Sequence, residues 1–167
     1  MIEIRPLTGD DAGAMWSLRL EALEREQFAF GESAAEHRSK SIDFVRARLT
    51  QPGTFVVGAF AGSRLVGTAG FYRDQNEKER HKGHVWGVYV TEGWRRKGVA
   101  RSILTEVLRL ARAEPGVERI SLAVSANQPS ARELYRSLGF ETFGCERHAL
   151  KAGDVYVDEE HMVLVLR

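Results

Sequence analysis

The chain has 167 residues, 43% of them hydrophobic and 28% charged, with a formal net charge of +1. That length supports one folded domain over residues 1–167, with a core that needs no metal or disulfide staple, and the near-neutral balance removes any global field for nucleic acid or a membrane surface. A lone cysteine, Cys145, excludes an internal disulfide; with no apolar signal core at the start and no run near the ~20 residues of a membrane span, the expected location is the cytoplasm.

Residues 2–5 alternate apolar and polar before Pro6, which predicts a short first strand. Thr8 and Asp11 stand at capping-box spacing, and Ala14, Met15, Leu18 and Ala22 recur at helical intervals, so a helix is expected to about Arg25. Residues 27–38 show no periodicity. A second helix is expected over 41–50, with Ile42, Val45 and Leu49 on one face, and Gln51-Pro52-Gly53 breaks it. Residues 54–60 and 64–72 read as a hairpin through a three-residue turn, Ala61-Gly62-Ser63. The polar stretch 73–82 is a surface loop, and 84–90 is the next strand. A third helix follows Gly98, with Val99, Ile103, Leu104, Val107, Leu108 and Ala111 as its apolar stripe.

Beyond the break at Glu114-Pro115-Gly116, residues 119–125 alternate as another strand. Asn127-Gln128-Pro129-Ser130 opens a helix with proline in its first turn; Ala131, Leu134, Tyr135 and Leu138 face inward and Gly139 is a left-handed cap. Residues 141–150 and 155–166 flank a turn at 151–154 and predict a closing antiparallel hairpin. The order β, α, α, β, β, β, α, β, α, β, β implies an α/β fold: a mixed sheet with helices on its faces.

The chemistry concentrates in Arg95-Arg96-Lys97-Gly98-Val99-Ala100, between a strand and the third helix, with Arg101 as a fourth cation. A helix start carries N–H groups without internal partners and a partly positive dipole end. With a glycine permitting close approach, these form an anion cradle suited to phosphate. The pattern is neither a P-loop nor the Gly-x-Gly-x-x-Gly fingerprint. Four cations are too few for a strong nucleic-acid site. His37, His81, His84, His148 and His161 show no metal spacing, so no metal is expected, and nothing beside Cys145, expected as a small buried residue, suggests activation.

Arg95, Gly98 and Ala100 fit the pattern Arg/Gln-x-x-Gly-x-Gly/Ala placed after a strand and before a helix. Residues 127–140 run Asn, a small residue, Leu-Tyr, then Leu-Gly-Phe. On these two motifs and the element order, the chain resembles the GNAT family of N-acetyltransferases over nearly its whole length. The resemblance implies a GNAT fold, a mostly antiparallel central sheet splayed at the acetyl-CoA site with helices on both faces. It also implies transfer of an acetyl group from acetyl-CoA to a primary amine by direct attack in a ternary complex.

By the same resemblance, the pyrophosphate would rest on Arg95, Arg96, Lys97, Gly98, Val99, Ala100 and Arg101. The pantetheine arm would follow the edge Val88-Tyr89-Val90 and the strand ending at Ser125. Asn127 would bond that arm, or serve as a plain helix cap. Tyr135 would protonate the leaving thiolate, although its place on the apolar stripe equally suits core filling. His84 falls where histone acetyltransferases of the family carry a glutamate base, with Glu92 the weaker option. Phe30, Glu32 and Trp86 are expected in the acceptor pocket, core packing being the other role for the two aromatics. The run Asp158-Glu159-Glu160 is either a solvated turn or a lure for a cationic amine. Acetyl-CoA is the expected cosubstrate and an amine the expected partner, with no nucleic acid and no membrane; a homodimer would follow the family's habit. The acceptor stays open among a small amine, an amino-acid-like metabolite and a protein N-terminus or lysine. The competing reading is a non-catalytic acyl-CoA-binding sensor of the same fold, against which the retained Tyr135 speaks.

Overall fold

The computed structural model describes residues 1–166; Arg167, last in the expected domain, lies outside them. The elements are β1 (Ile2–Pro6), α1 (Ala12–Arg25), α2 (Ala34–Arg38), α3 (Ile42–Leu49), β2 (Thr54–Ala61), β3 (Arg64–Arg73), β4 (Lys82–Val90), α4 (Val99–Ala113), β5 (Arg119–Ser125), α5 (Pro129–Ser137), β6 (Glu141–Ala152) and β7 (Val155–Val165). No helix among the described residues is long and apolar enough to cross a membrane. The seven strands form one sheet in the order β1-β2-β3-β4-β5-β7-β6. Every neighbouring pair is antiparallel except β4–β5, which α4 connects as a crossover.

Local expectations change at several points. The closing hairpin turns through Gly153 and Asp154 alone, since Lys151 and Ala152 still pair with Tyr156 and Val155. The short helix α2 lies inside the stretch without periodicity, because five residues cannot display a helical period. Its start is nonetheless a capping box: Glu36 N–H donates to Ser33 Oγ (3.1 Å) and Ser33 N–H to Glu36 Oε2 (2.7 Å). The β2–β3 hairpin turns through two residues, Gly62 and Ser63, rather than three, since Ala61 still pairs with Arg64.

The parallel pairing sets the site. It holds only for Lys82↔Arg119, Gly83↔Ile120 and His84↔Ser121. Past that point β4 stays on β3 as far as Gly67↔Val90, and β5 stays on β7 as far as Ser125↔Glu159. The sheet therefore opens as a wedge between residues 85–90 and 122–125. An irregularity in β3–β4 between Thr68 and Gly70, with Gly87 at φ 64°, bends β4 at the mouth of that wedge.

Packing holds the wedge open. On one face, α4 buries Val99, Ile103, Leu104, Val107, Leu108 and Ala111 against both halves of the sheet, together with Tyr135 of α5 and Phe140. Each large member of that stripe contributes about 1.5–3 kcal/mol relative to exposure, so the start of α4 is held in a fixed place. On the other face, Met15, Leu18 and Ala22 of α1 and Leu49 of α3 pack on Val56, Phe60 and Leu65.

Candidate active site

A groove of about 510 Å³ runs from the start of α4 along β4 to α5. Val88, Tyr89, Val90, Arg95, Arg96, Gly98, Val99, Ala100 and Arg101 line it. Gly98 is the N-cap of α4, left-handed at φ 76°, and no side chain caps the helix. The first helical bond runs from Ser102 N–H to Gly98 O (3.0 Å), which leaves the N–H groups of Val99, Ala100 and Arg101 open to the groove. A Cβ at Gly98 would meet no protein atom within 4 Å, so the space in front of it belongs to the groove. The four cations divide their work. Arg95 is a clamp, its Nε donating to Val90 O (2.8 Å) and its Nη2 to Glu26 Oε1 (2.9 Å). Arg101 Nη2 donates to Ser137 Oγ (2.7 Å). Arg96, at φ 60°, lies on the groove. Lys97 does not line it; its Nζ sits 4.9 Å from the Trp94 ring centre.

Tyr89 also lines the groove. Its hydroxyl is buried, and burial, with Glu21 alongside, pushes it up to about 12. Unpaired N–H groups and flanking guanidinium groups fit a diphosphate. Asn127 is exposed and off the groove, and it is not the helix cap: Gln128 takes the N-cap place of α5 and lines the groove. Glu26, which bonds Arg95 and lies 3.4 Å from Gln128 Nε2, was not foreseen either. Nothing in a local pattern links it to a residue 69 positions away.

Tyr135 stands where the groove meets the wedge and lines both. Its ring is 6% exposed and packs edge-on to Phe140 at 6.0 Å. Burial drives its hydroxyl far above the ordinary phenol range, so it remains a proton donor.

A second cavity, about 270 Å³, lies on the face that carries α1 and α3. Its floor is Trp86, which can lie on β3 because residue 70 is glycine: a Cβ there would come within 2.3 Å of the ring. Trp86 also lines the wedge, while Phe30 lines the wedge and the groove. The Arg19 guanidinium lies 4.6 Å over Phe30 and 6.0 Å from the Trp86 ring centre, so these three side chains partition the two spaces. A bond from Ser125 Oγ to Phe28 O ties the α1–α2 connection to the end of β5 and so seats Phe30. Glu32 lines the second cavity and is held by two cationic donors, Arg19 Nε at 3.2 Å and Lys40 Nζ, with His37 Nδ1 3.3 Å away and the His37 Nε2 directed at Trp16 O (2.9 Å). Burial works to raise its carboxyl, but Lys40 and Arg19 outweigh it and hold it below the usual carboxylate range. The three expected acceptor residues are therefore divided: Glu32 lines the second cavity, Phe30 the wedge and groove, and Trp86 both the second cavity and the wedge.

His84 is elsewhere. It sits at the closed end of the wedge, opposite Ser121, and lines none of these spaces. Its Nε2 is 2.8 Å from Asp74 Oδ2 and its ring stacks on Tyr72 at 4.6 Å. Held by Asp74 and off the cavities, it makes no direct contact with the space beside Trp86 where an amine would sit. Glu92 is exposed beside Arg25 and also off these cavities. Of the acidic run, Asp158 accepts from His148 N–H and Glu160 binds Arg132, so neither faces the second cavity. Cys145, expected to be buried, is exposed on β6. Among the described residues, Glu146, Glu159 and His161 bring ligand atoms within 4.8 Å of one another. Sequence spacing hides that group because Glu146 and Glu159 meet across strands.

The sequence profile of the "Acetyltransferase (GNAT) family" matches residues 17–140. L-amino acid N-acetyltransferase AaaT of Escherichia coli is 28% identical over 116 residues, 69% of this chain and 70% of that protein. N-alpha-acetyltransferase RimI of Mycobacterium tuberculosis is 33% identical over 111 residues, 65% of this chain and 66% of that one. Among solved structures, an N-acetyltransferase of Staphylococcus aureus superposes with a TM-score of 0.86 at 18% identity, covering 100% of this chain and 99% of that one. The acetyltransferase yncA of Salmonella typhimurium, solved with acetyl-CoA, superposes at 0.85 with 20% identity, covering 100% and 95%.

Proposed function

The chain belongs to the GNAT acetyltransferase family and is an acetyl-CoA-dependent N-acetyltransferase; we propose that it works by direct attack of a primary amine, held beside Trp86, on acetyl-CoA laid in the groove. Acetyl-CoA brings the acetyl group and a thiol leaving group. The open N–H groups of Val99, Ala100 and Arg101, with Arg96, hold its diphosphate. The free edge of β4 at Val88-Tyr89-Val90 offers backbone partners to the pantetheine arm. The amine nitrogen bonds to the carbonyl carbon, the carbon–sulfur bond breaks, and the sulfur takes the Tyr135 proton. The nitrogen's own proton leaves to water, and Tyr135 regains a proton from water before the next turnover. Arg19, Lys40 and Arg48 around the second cavity disfavour a bound ammonium, and Glu32 is already held by Arg19 and Lys40, so no dedicated base is required.

The observation that carries this reading is the uncapped start of α4, opening without obstruction toward Tyr135 and the wedge. The two curated relatives are named as an L-amino acid N-acetyltransferase and an N-alpha-acetyltransferase, and both names point to an amine on an α carbon. Thiol release from acetyl-CoA across a panel of amines tests the reading, with coenzyme A binding followed by calorimetry. Amine-dependent release is expected. Tight coenzyme A binding with no release from any amine would make the chain a sensor instead.

A further inference from the structure

The second cavity is unbalanced in charge. Arg19, Lys40 and Arg48 line it against a single carboxylate, Glu32. Glu32 is committed to Arg19 and Lys40. Arg48 is left over: among the described residues it has no acidic partner, and its guanidinium rests 5.6 Å from the Trp86 ring centre and 5.8 Å from that of Phe44. Burial lowers Arg19 most, Glu32 opposes it, and the Arg48 charge adds a smaller lowering. Arg48 is exposed at the rim of the cavity, so water carries its charge, and an incoming anion would meet a guanidinium that no acid among the described residues already holds. A dication or polyamine would add to the repulsion. The rest of the lining is His37, which lies against Glu32, the aromatic Phe44 and Trp86, and the apolar Met15, Val45, Leu49 and Val56.

Resting on the acetyl-transfer reading, we propose that the acceptor is a small amine that carries its own carboxylate, a free α-amino acid with an apolar side chain, and that Arg48 binds that carboxylate. A guanidinium fork matches a carboxylate with two parallel N–H bonds. The carboxylate on Arg48, at the Trp86 floor, leaves the neighbouring nitrogen free to face the wedge that Trp86 also lines. The volume of about 270 Å³ sits below the ~300–1,000 Å³ of drug-sized sites, which suits a single amino acid.

The test compares L-leucine, L-methionine and L-phenylalanine with their amides and with leucyl-glycine, at saturating acetyl-CoA, for the natural chain and Arg48→Gln. The acids are expected to exceed the amides and the dipeptide in kcat/KM at least tenfold. In Arg48→Gln the KM of the acids should rise about 10- to 100-fold, the value of a charge-assisted bond, and the preference should vanish, while the KM of acetyl-CoA and the melting temperature stay put. Amides or the dipeptide serving as well as acids, or a preference that survives Arg48→Gln, would overturn the proposal. Should no amine turn over although coenzyme A binds, the transfer reading fails by itself. Calorimetry with L-leucine and leucinamide then decides the carboxylate site: tighter binding of the acid, lost in Arg48→Gln, upholds it, and equal binding refutes it.

Discussion

At the scale of single residues, Tyr135 and His84 part company. Tyr135 lines the junction of groove and wedge, and its hydroxyl is kept protonated by burial. Tyr135→Phe removes one oxygen from a side chain whose ring does the packing, so the fold should stay within about 1 kcal/mol of its original stability. The turnover number is expected to fall about 10- to 100-fold, with KM for acetyl-CoA unchanged. Because the folded-state value lies above the ordinary phenol value near ~10, the acid form persists through that pH. The natural enzyme should therefore show no alkaline decline in kcat below about pH 10, as steady-state rates against pH would reveal. His84→Gln should leave kcat/KM within about threefold. The rise of rate with pH should survive it and should move with the amine pKa from one acceptor to the next; a limb that vanished in His84→Gln would restore His84 as the base. Only the structure could separate the two residues. Tyr135 stands on a helix whose inward stripe is legible from spacing, whereas the partner of His84 is Asp74, in a polar loop ten positions away.

At the scale of elements, what could be read from the sequence is what repeats. The α4 stripe at helical intervals and the alternation in β5 point to their buried faces directly, and each is buried as expected. The turn before α4 is equally legible, because glycine and crowded arginines mark it chemically. The wedge was not legible from periodicity, since β4 reads as a strand along its whole length, and only the three-residue pairing with β5 opens it. The second cavity's charge was hidden too: Arg19, Lys40 and Arg48 come from α1, the α2–α3 connection and α3, and only the fold collects them. The element that carries most consequence is the start of α4, and Gly98→Ala probes it. At φ 76° an alanine strains the backbone by about 1–2 kcal/mol, and its methyl projects into the groove rather than into protein. Coenzyme A binding should weaken at least tenfold by calorimetry, with the KM of the amine acceptor little changed. Unaltered affinity would mean that the diphosphate docks elsewhere.

At the scale of the molecule, the sheet is two blocks, β1–β4 and β5–β7, that hydrogen-bond to each other through only three residue pairs. What unites them is the apolar layer under α4, where Val57, Val66 and Phe71 of the first block share one core with Ile120, Leu122 and Met162 of the second. A ligand lying along the groove touches β4, α4 and α5 together, so it closes the gap that the chain's own backbone leaves open. Binding to the folded state alone stabilises it by mass action, by about 2.7 kcal/mol at a hundredfold excess over Kd. For a chain of this length that corresponds to a rise in Tm of roughly 5–10 °C. Coenzyme A should produce that rise in a thermal melt. Gly98→Ala at the same ligand concentration should lose much of it, since each tenfold weakening of Kd removes about 1.4 kcal/mol of the gain. L-leucine alone, confined to the cavity beside Trp86 on the other face, should shift the melt far less than the nucleotide. A larger shift from the amino acid than from coenzyme A would mean that the groove is not the main ligand site, and the division of labour between the two faces of β4 would have to be reversed.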